Sequence, residues 1–424
     1  MARLSAEKIR LFIKRLIPAR TLSLLLPAYH YGLSALGAVL YGFPARRVAV
    51  IAVTGTKGKS TTVELVNAIL EKAGYKTALS GTVRFKIGGA SERNTHKMTM
   101  PGRFFLQRFL ARAVQAGCDY AIVEMTSEGA AQYRHKFIRP RVFIFTNITP
   151  EHIESHGSFE KYLAAKLSIA RQAKGGIIVA NTDDPHGEKF LAAAGAGAKK
   201  HPYSLASVSP YDTGEKGARM TFRGMPIRIA VPGIFNILNA AAAATAAHAL
   251  GVGTETIKEA LEAFRGVPGR MEFVREGNDF DVVVDYAHTP ESLESVYRVF
   301  AHKRKICVLG SAGGGRDTWK RPKMGAIAEN HCDEIILTDE DPYDEDPKKI
   351  IADIARGMRK KKPLVILDRK KAIEKGVSLA KKGDVVIITG KGTDPFLMKE
   401  SGRKIPWSDM DIARAAVRKR TASV

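Results

Sequence analysis

A chain of 424 residues with 45% hydrophobic content is long enough for two or three domains with sizeable cores, which excludes a largely disordered polymer. Its formal net charge of +24 favours anionic partners such as nucleotides, phosphorylated substrates, nucleic acid or an acidic membrane face, without choosing among them. The cysteines Cys118, Cys307 and Cys332 form no Cys-x-x-Cys pair, so neither a zinc site nor a disulfide framework is expected, and a reducing cytoplasmic setting is.

Residues 1–46 are basic and then apolar. Lys8, Arg10, Lys14, Arg15 and Arg20 precede an apolar stretch at 22–43, and Arg46 and Arg47 follow it. No apolar run here is followed by a small-residue cleavage site, so a secretory signal is not expected. The stretch approaches the length of a membrane span but contains Pro27, His30 and glycines. Two buried or interfacial helices broken near Pro27 are expected, with peripheral membrane contact through 22–43 as the lesser reading.

Residues 48–53 form an unbroken apolar run, the pattern of a strand buried on both faces of a parallel sheet. A glycine-rich turn and a helical run at 60–73 follow. Apolar runs at 120–123, 142–145 and 176–180 alternate with helical stretches, which predicts a parallel α/β sheet. Residues 201–232 carry short strands and turns, and the alanine-rich run 236–250 predicts a helix. After a hinge expected at Val267-Pro-Gly269, a second α/β pattern has buried strands predicted at 280–284, 306–309, 334–337, 364–367 and 385–389. The expected fold is α/β. It has a short helical N-terminal segment (1–46), a central parallel-sheet P-loop ATPase domain (47–267) and a smaller Rossmann-like α/β domain (268–424).

The turn Val53-Thr-Gly-Thr-Lys-Gly-Lys-Ser-Thr-Thr62 lies between the first buried strand and a helix. Glycines let backbone N–H groups turn inward around phosphate oxygens, and the helix start adds its positive dipole end. Lys59 is placed for the β- and γ-phosphates and the Ser60 hydroxyl for Mg²⁺. Val53 stands where the general pattern has its first glycine. Nucleotide binding outweighs an ordinary glycine turn because of the strand before and the helix after.

Further motifs follow in order: Glu124-Met-Thr-Ser127 with Arg134, Thr146-Asn-Ile-Thr-Pro-Glu-His152 with His156, and Tyr162-Leu-Ala-Ala-Lys166. Then come Asn181-Thr-Asp-Asp-Pro185, Gly233-Ile-Phe-Asn-Ile-Leu-Asn239, Gly269-Arg-Met-Glu272, Asp285-Tyr-Ala-His-Thr-Pro290, Gly314-Gly-Arg-Asp317 with Lys320-Arg-Pro322, and Gly390-Lys-Gly392. Together they resemble the Mur ligases of peptidoglycan synthesis, within that family the branch acting on UDP-MurNAc-L-Ala-D-Glu. The resemblance implies an ATP- and Mg²⁺-dependent ligase. A substrate carboxylate takes the γ-phosphoryl group as an acyl phosphate, and an amino acid's amine then displaces phosphate. Such transfers run on positioning and charge neutralisation.

On that resemblance Gly55, Thr56, Lys57, Gly58, Lys59, Ser60 and Thr61 hold the ATP phosphates. Glu124, at a strand's carboxyl end, joins His152, Ser60 and Lys166 around Mg²⁺. Lys166 is carbamylated in the family, which turns a cation into an anion. Asn236 and Asn239, on one helix face, are implied at the adenine edge, although helix capping explains either alone. Arg270 is implied at an ATP phosphate, Asp285 at the ribose, and His288 as a nucleotide contact. Thr99, Ser127 and Arg134 match acceptor-binding positions. Arg316, Asp341, Gly390 and Asp394 match those for the incoming amino acid.

The pattern departs in places. Only about 46 residues precede the first strand, where the family carries a UDP-holding domain, so a lipid-linked acceptor stays open. Met100, Glu128 and Glu151 replace a threonine, a histidine and an aspartate. Glu340-Asp-Pro-Tyr343 lacks the arginine with which diaminopimelate-specific relatives grip a carboxylate. Asp394 is shorter than the usual glutamate. Rival readings are a folylpolyglutamate, poly-γ-glutamate or cyanophycin ligase of the same superfamily, a membrane- or nucleic-acid-associated NTPase, and a degenerate scaffold. No nucleic-acid partner is expected.

Overall fold

The computed structural model describes residues 19–151, 153–315 and 317–422, with side chains from residue 25 onward. Two expected site residues, His152 and Arg316, lie outside the described residues, as do Lys8, Arg10, Lys14 and Arg15.

The first sheet has eight strands: β1 Ala49–Thr54, β2 Thr77–Ser80, β3 Arg84–Ile87, β4 Ala90–Arg93, β5 Tyr120–Glu124, β6 Pro140–Phe145, β7 Ile177–Asn181 and β8 Lys199–Tyr203. They run in the order β4-β3-β2-β5-β1-β6-β7-β8. Strands β2, β5, β1, β6, β7 and β8 are parallel, and β3 and β4 add an antiparallel hairpin at one edge. The β1 run stays apolar because helices cover both faces of the sheet. On one face the phosphate helix Lys59–Lys72 packs against the alanine-rich helix Ile234–Ala249. Ala240 to Ala244 are fully buried there, and their small side chains let the two helices approach closely.

Strands β9 Asp212–Gly214, β10 Gly217–Phe222 and β11 Met225–Ile229 form a small antiparallel sheet, the excursion expected for this stretch. A second α/β sheet follows, with β12 Glu272–Phe273, β13 Asp281–Asp285, β14 Lys305–Leu309, β15 Glu334–Leu337, β16 Leu364–Val365 and β17 Val385–Thr389 in the order β12-β13-β17-β14-β15-β16. All but β12 run parallel. A hairpin of β18 Phe396–Met398 and β19 Lys404–Pro406 closes the chain's last loop.

Three expectations are corrected. The N-terminal apolar stretch is one helix, Ala19–Leu40, that runs through Pro27. Pro27 is exposed, so the one intrahelical bond it removes is exchanged for hydration. Strand β16 is exposed rather than buried, because it is the outer strand of its sheet. Finally, Cys307 and Cys332 form a buried disulfide with a Cα–Cα distance of 6.0 Å. They stand 25 residues apart, so no short spacing announces the pair. The helix Lys320–His331 returns the chain beside β14, where β15 pairs with it. The cysteine argument for a reducing compartment is thereby lost. Among the described residues no helix is long and apolar enough to cross a membrane.

Candidate active site

The carboxyl ends of the central strands of the first sheet and of β13 in the second meet one cavity of about 910 Å³. β1 delivers Thr54 to the glycine loop, and Gly58 (φ +82°) turns the chain into the helix Lys59–Lys72. The first intrahelical bond is Thr62 N–H to the Gly58 carbonyl, which leaves the amides of Lys59, Ser60 and Thr61 without an intrahelical acceptor at the cavity wall. Lys59 Nζ donates to the carbonyls of Gly55 and Thr56, each at 3.0 Å. Thr56 Oγ1 meets Tyr162 Oη at 2.8 Å, and Thr146 Oγ1 donates to the Lys57 carbonyl at 2.6 Å. The loop is braced from outside, with its Thr56 and Lys57 amides held by Asn147, and is open at the amides of Lys59, Ser60 and Thr61.

Gly58 has a second constraint. A Cβ there would lie 2.3 Å from Asn239 Oδ1. We expect Gly58→Ala to lower affinity for a non-hydrolysable ATP analogue about tenfold or more, because both φ and the contact must relax. Titration calorimetry showing affinity within threefold of wild type would count against this packing.

Glu124 ends β5 and is buried, and Thr82 holds it: Oε1 accepts from the Thr82 amide and Oε2 from Thr82 Oγ1, both at 2.9 Å. Thr82 Oγ1 also lies 2.8 Å from Thr99 Oγ1, which links the acidic residue to an expected acceptor residue. Lys166 is buried, donates to the Gly55 carbonyl at 2.7 Å and lies 4.8 Å from the Tyr162 ring centre. Burial, and then the Lys59 charge, lower its pKa well below the usual lysine range. Burial also lowers the pKa of Lys57 and Lys59. Glu151 opposes the shift at Lys57, and Glu124 and Glu151 oppose it at Lys59. Closely placed cations of this kind, Lys166 buried and Lys57 and Lys59 half-buried, fit a polyphosphate, which would repay their desolvation. Among the described residues no three His, Cys, Asp or Glu side chains gather to hold a metal, so a Mg²⁺ at Ser60 and Glu124 would share phosphate oxygens.

Asn236 Nδ2 donates to the Pro232 carbonyl at 2.7 Å, a bond back to the chain before the helix rather than a cap, since no side chain caps the Gly233 start, and Asn239 faces Gly58. Arg270 lies 4.1 Å from the Tyr286 ring centre, at the cavity. Asp285 accepts the Met271 and Ala287 amides at 2.7 Å each, so its carboxylate staples the hinge turn first. His288 Nε2 lies 3.1 Å from Glu151 Oε1 and 3.4 Å from Lys57 Nζ, while Nδ1 faces the Tyr286 carbonyl at 2.6 Å. Lys57, Glu151 and His288 thus tie the loop to the β13 end.

Ser127 Oγ lies 3.1 Å from His156 Nε2, and Arg134 bonds the Met100 carbonyl and Gln132. These residues line the cavity with Thr99. Asp341 and Asp394 do not. Asp341 is taken by Lys391 at 2.7 Å, Lys97 at 3.0 Å and the Met398 amide at 2.8 Å, and Asp394 by Lys391 at 2.9 Å and Lys97 at 3.1 Å. Beside them sits Glu340, in an acidic run that reads from sequence equally as an attraction for a cationic side chain or as a solvated loop. Burial pushes its carboxyl up to about 7, and a Cβ at Gly390 (φ +108°) would meet its Oε2 at 2.3 Å. Thr82 and Tyr162 were also missed. Tyr162 and Lys166 stand i, i+4 on one helix, a spacing that marks a shared face.

Buried histidines set an acid limit. Burial lowers His288 and His135 to about 4, with Lys57 adding at the first and Lys136 at the second. The unfolded chain takes up protons at these positions from about pH 6.5. The folded chain resists until about pH 4. Their contribution is therefore full above pH 6.5 and drains away as pH falls toward 4. We expect the urea midpoint to drop across that window and the slope to flatten in His135→Gln. An unchanged slope in that variant would contradict the burial argument.

Comparison with known proteins fits this geometry. The Mur ligase middle domain matches residues 53–247, and the Mur ligase glutamate ligase domain matches residues 269–392. A UDP-N-acetylmuramoyl-L-alanyl-D-glutamate--2,6-diaminopimelate ligase of Syntrophomonas wolfei is 36% identical over 410 residues, covering 92% of this chain and 83% of that protein. A UDP-N-acetylmuramyl-tripeptide synthetase of Roseiflexus is 36% identical over 430 residues, covering 93% and 83%. A solved diaminopimelate ligase of the same type superposes with a TM-score of 0.61 at 28% identity, covering 88% of this chain and 79% of that one. With both domains matched in chain order and relatives aligned along nine tenths of its length, this chain belongs to the Mur ligase family of ATP-dependent acid–amino-acid ligases.

Proposed function

We propose that this chain adds a free amino acid to UDP-MurNAc-L-Ala-D-Glu, using ATP and Mg²⁺. The observation that carries the reading is a single cavity that joins the amide-lined loop, the half-buried cations Lys57 and Lys59, the buried Lys166, and Arg270 to the acceptor-side Thr99, Ser127 and Arg134. In the proposed reaction the acceptor carboxylate takes the γ-phosphoryl group and ADP is released. The amine nitrogen then attacks the carbonyl carbon. The C–N bond forms, the C–O bond to phosphate breaks, and the nitrogen loses a proton. Lys59, Lys57, Arg270 and the loop amides neutralise the transferring group, which is most of what such a site must do. Ser60, Glu124 and His152 are the residues that would hold Mg²⁺ in this reading, and the ion would supply further charge neutralisation at the phosphates.

Lys166 belongs to the proposal as a carbamate. A neutral amine is the form that adds CO₂, and burial beside Lys59 favours that form. The N–C bond forms, one proton leaves, and the resulting anion sits among cations. The residue ranges 47–267 and 268–424 act as two bodies about Val267–Gly269, whose closure carries Arg316 and the amine to the acyl phosphate. The amine's ammonium is received beside Gly390 by Glu340, since Asp394 is held by Lys391 and Lys97. Several relatives are named for 2,6-diaminopimelate, but Tyr343 here stands in place of their gripping arginine.

The test is ADP and phosphate release by purified protein with this acceptor, screened over amino acids that include lysine and diaminopimelate. Release that depends on one amino acid is expected. No release with any amine would remove the muropeptide reading and leave only the wider family.

A further inference from the structure

The helix Ala19–Leu40 has its amphipathicity reversed. Its inner side is docked: Ser34 Oγ donates to the Tyr133 carbonyl at 2.9 Å, and Gly37 lies against Phe104 and Gln107 of the helix Arg103–Gln115. The outer side carries Leu25, Tyr29, Leu36, Val39 and Leu40, with relative exposures of 54%, 59%, 48%, 60% and 64%. At 3.6 residues per turn these positions fall within an arc of roughly 100°, opposite Ser34 and Ala38. A surface helix ordinarily turns charge to water. Here no Asp, Glu, Lys or Arg occurs between Arg20 and Arg46. The stripe is about 22 Å long.

Charge says what covers it. The first 20 residues contain Arg3, Lys8, Arg10, Lys14, Arg15 and Arg20 against the single acid Glu7. Arg46 and Arg47 are exposed just past the helix, and Arg108 and Arg112 are exposed on the helix beneath it, in line with the exposed Phe104. A second copy of a chain with net charge +24 would bring these cations together. An anionic bilayer accepts both the apolar stripe and its basic margin. Because its inner side is packed on the helix Arg103–Gln115 and the Tyr133 carbonyl, the helix can offer a bilayer only its outer face, so it lies on the bilayer rather than through it.

We propose that the outer face of helix Ala19–Leu40 is a peripheral docking surface for an anionic lipid bilayer. The stripe enters the headgroup boundary, the exposed Arg46 and Arg47 meet lipid phosphates, and the docked inner side holds the ligase body at the surface. This inference stands apart from the ligase reading.

The test is co-sedimentation of the full chain with vesicles of phosphatidylcholine alone or with 30% phosphatidylglycerol, at about 0.1 and 0.5 M salt. Binding to the anionic vesicles is expected, at least tenfold weaker in Leu36→Glu/Leu40→Glu. Both positions face outward, so that variant should melt like wild type. A fluorophore on Leu40→Cys should shift to shorter wavelength with anionic vesicles, which reports insertion without relying on the charged variant. Three outcomes would overturn the proposal: no binding to anionic vesicles, equal binding by the glutamate variant, or an unshifted fluorophore. So would a wild-type dimer that the glutamate variant converts to monomer without vesicles, since the occupant would then be a second copy.

Discussion

Lys59→Ala should lower the rate of amino-acid-dependent ADP release about a thousandfold, the size of effect seen when a preorganised charge donor is removed from a dry site. The side chain is set by its own loop. Its ammonium bonds the Gly55 and Thr56 carbonyls, which places it over the loop whose amides line the cavity. Burial lowers its pKa, with Glu124 and Glu151 opposing, so the free protein holds the charge at a cost. An incoming triphosphate removes that cost, and the gain grows as charge moves onto the transferring oxygens. The substitution should therefore fall mainly on kcat, with a smaller loss of nucleotide affinity because the amides of Lys59, Ser60 and Thr61 remain. Lys59→Arg should rescue poorly, since the guanidinium is larger and its fork cannot reproduce two bonds to carbonyls within the loop. Steady-state kinetics with rates within tenfold of wild type would remove Lys59 from the centre of the site.

Much of this arrangement is legible before any fold is known, and the reason is burial. Strands β1, β5, β6, β7 and β17 are covered on both faces over most of their length, so each carries an unbroken apolar run of three or more residues that stands out at once. The glycine loop is legible because it needs φ values and close approaches that few residues supply. What sequence hides is pairing between distant polar residues. Thr82 holds Glu124 and Thr99 together, yet nothing marks one threonine among many. Glu340 sits in an acidic run that resembles a solvated loop, and only the fold shows it buried against Gly390. Asp341 and Asp394 were expected to be open to substrate, but Lys97 and Lys391 hold them, and apart from the local Lys391–Asp394 pair these contacts cross about 50 to 300 residues of chain. Cys307 and Cys332 escaped for the same reason. The β3–β4 hairpin, short and exposed along β4, gave no apolar run to notice.

Lys166→Ala should cost about a hundredfold or more in turnover, and a short-chain carboxylic acid should restore part of it. The argument turns on which charge the site needs at this position. As an ammonium, Lys166 would add a further cation to a group already holding Lys57 and Lys59, and the protein opposes that form through burial and the Lys59 charge. As a carbamate it is an anion, suited to share Mg²⁺ with Ser60 and Glu124 and to balance its cationic neighbours. The two readings predict opposite rescues. If the anion matters, acetate or propionate should raise the variant's rate at least tenfold over chloride, and methylamine should not. If the cation matters, the pattern reverses. Mass spectrometry of intact protein under CO₂, with an added mass of about 44 Da absent from the variant, supplies a readout independent of turnover. Tyr162, whose hydroxyl braces Thr56 and whose ring lies against Lys166, provides the control: Tyr162→Phe removes the brace but keeps the ring, so it should weaken nucleotide binding while leaving the carbamate mass intact. Wild-type turnover in Lys166→Ala would end the argument for any charge at that position.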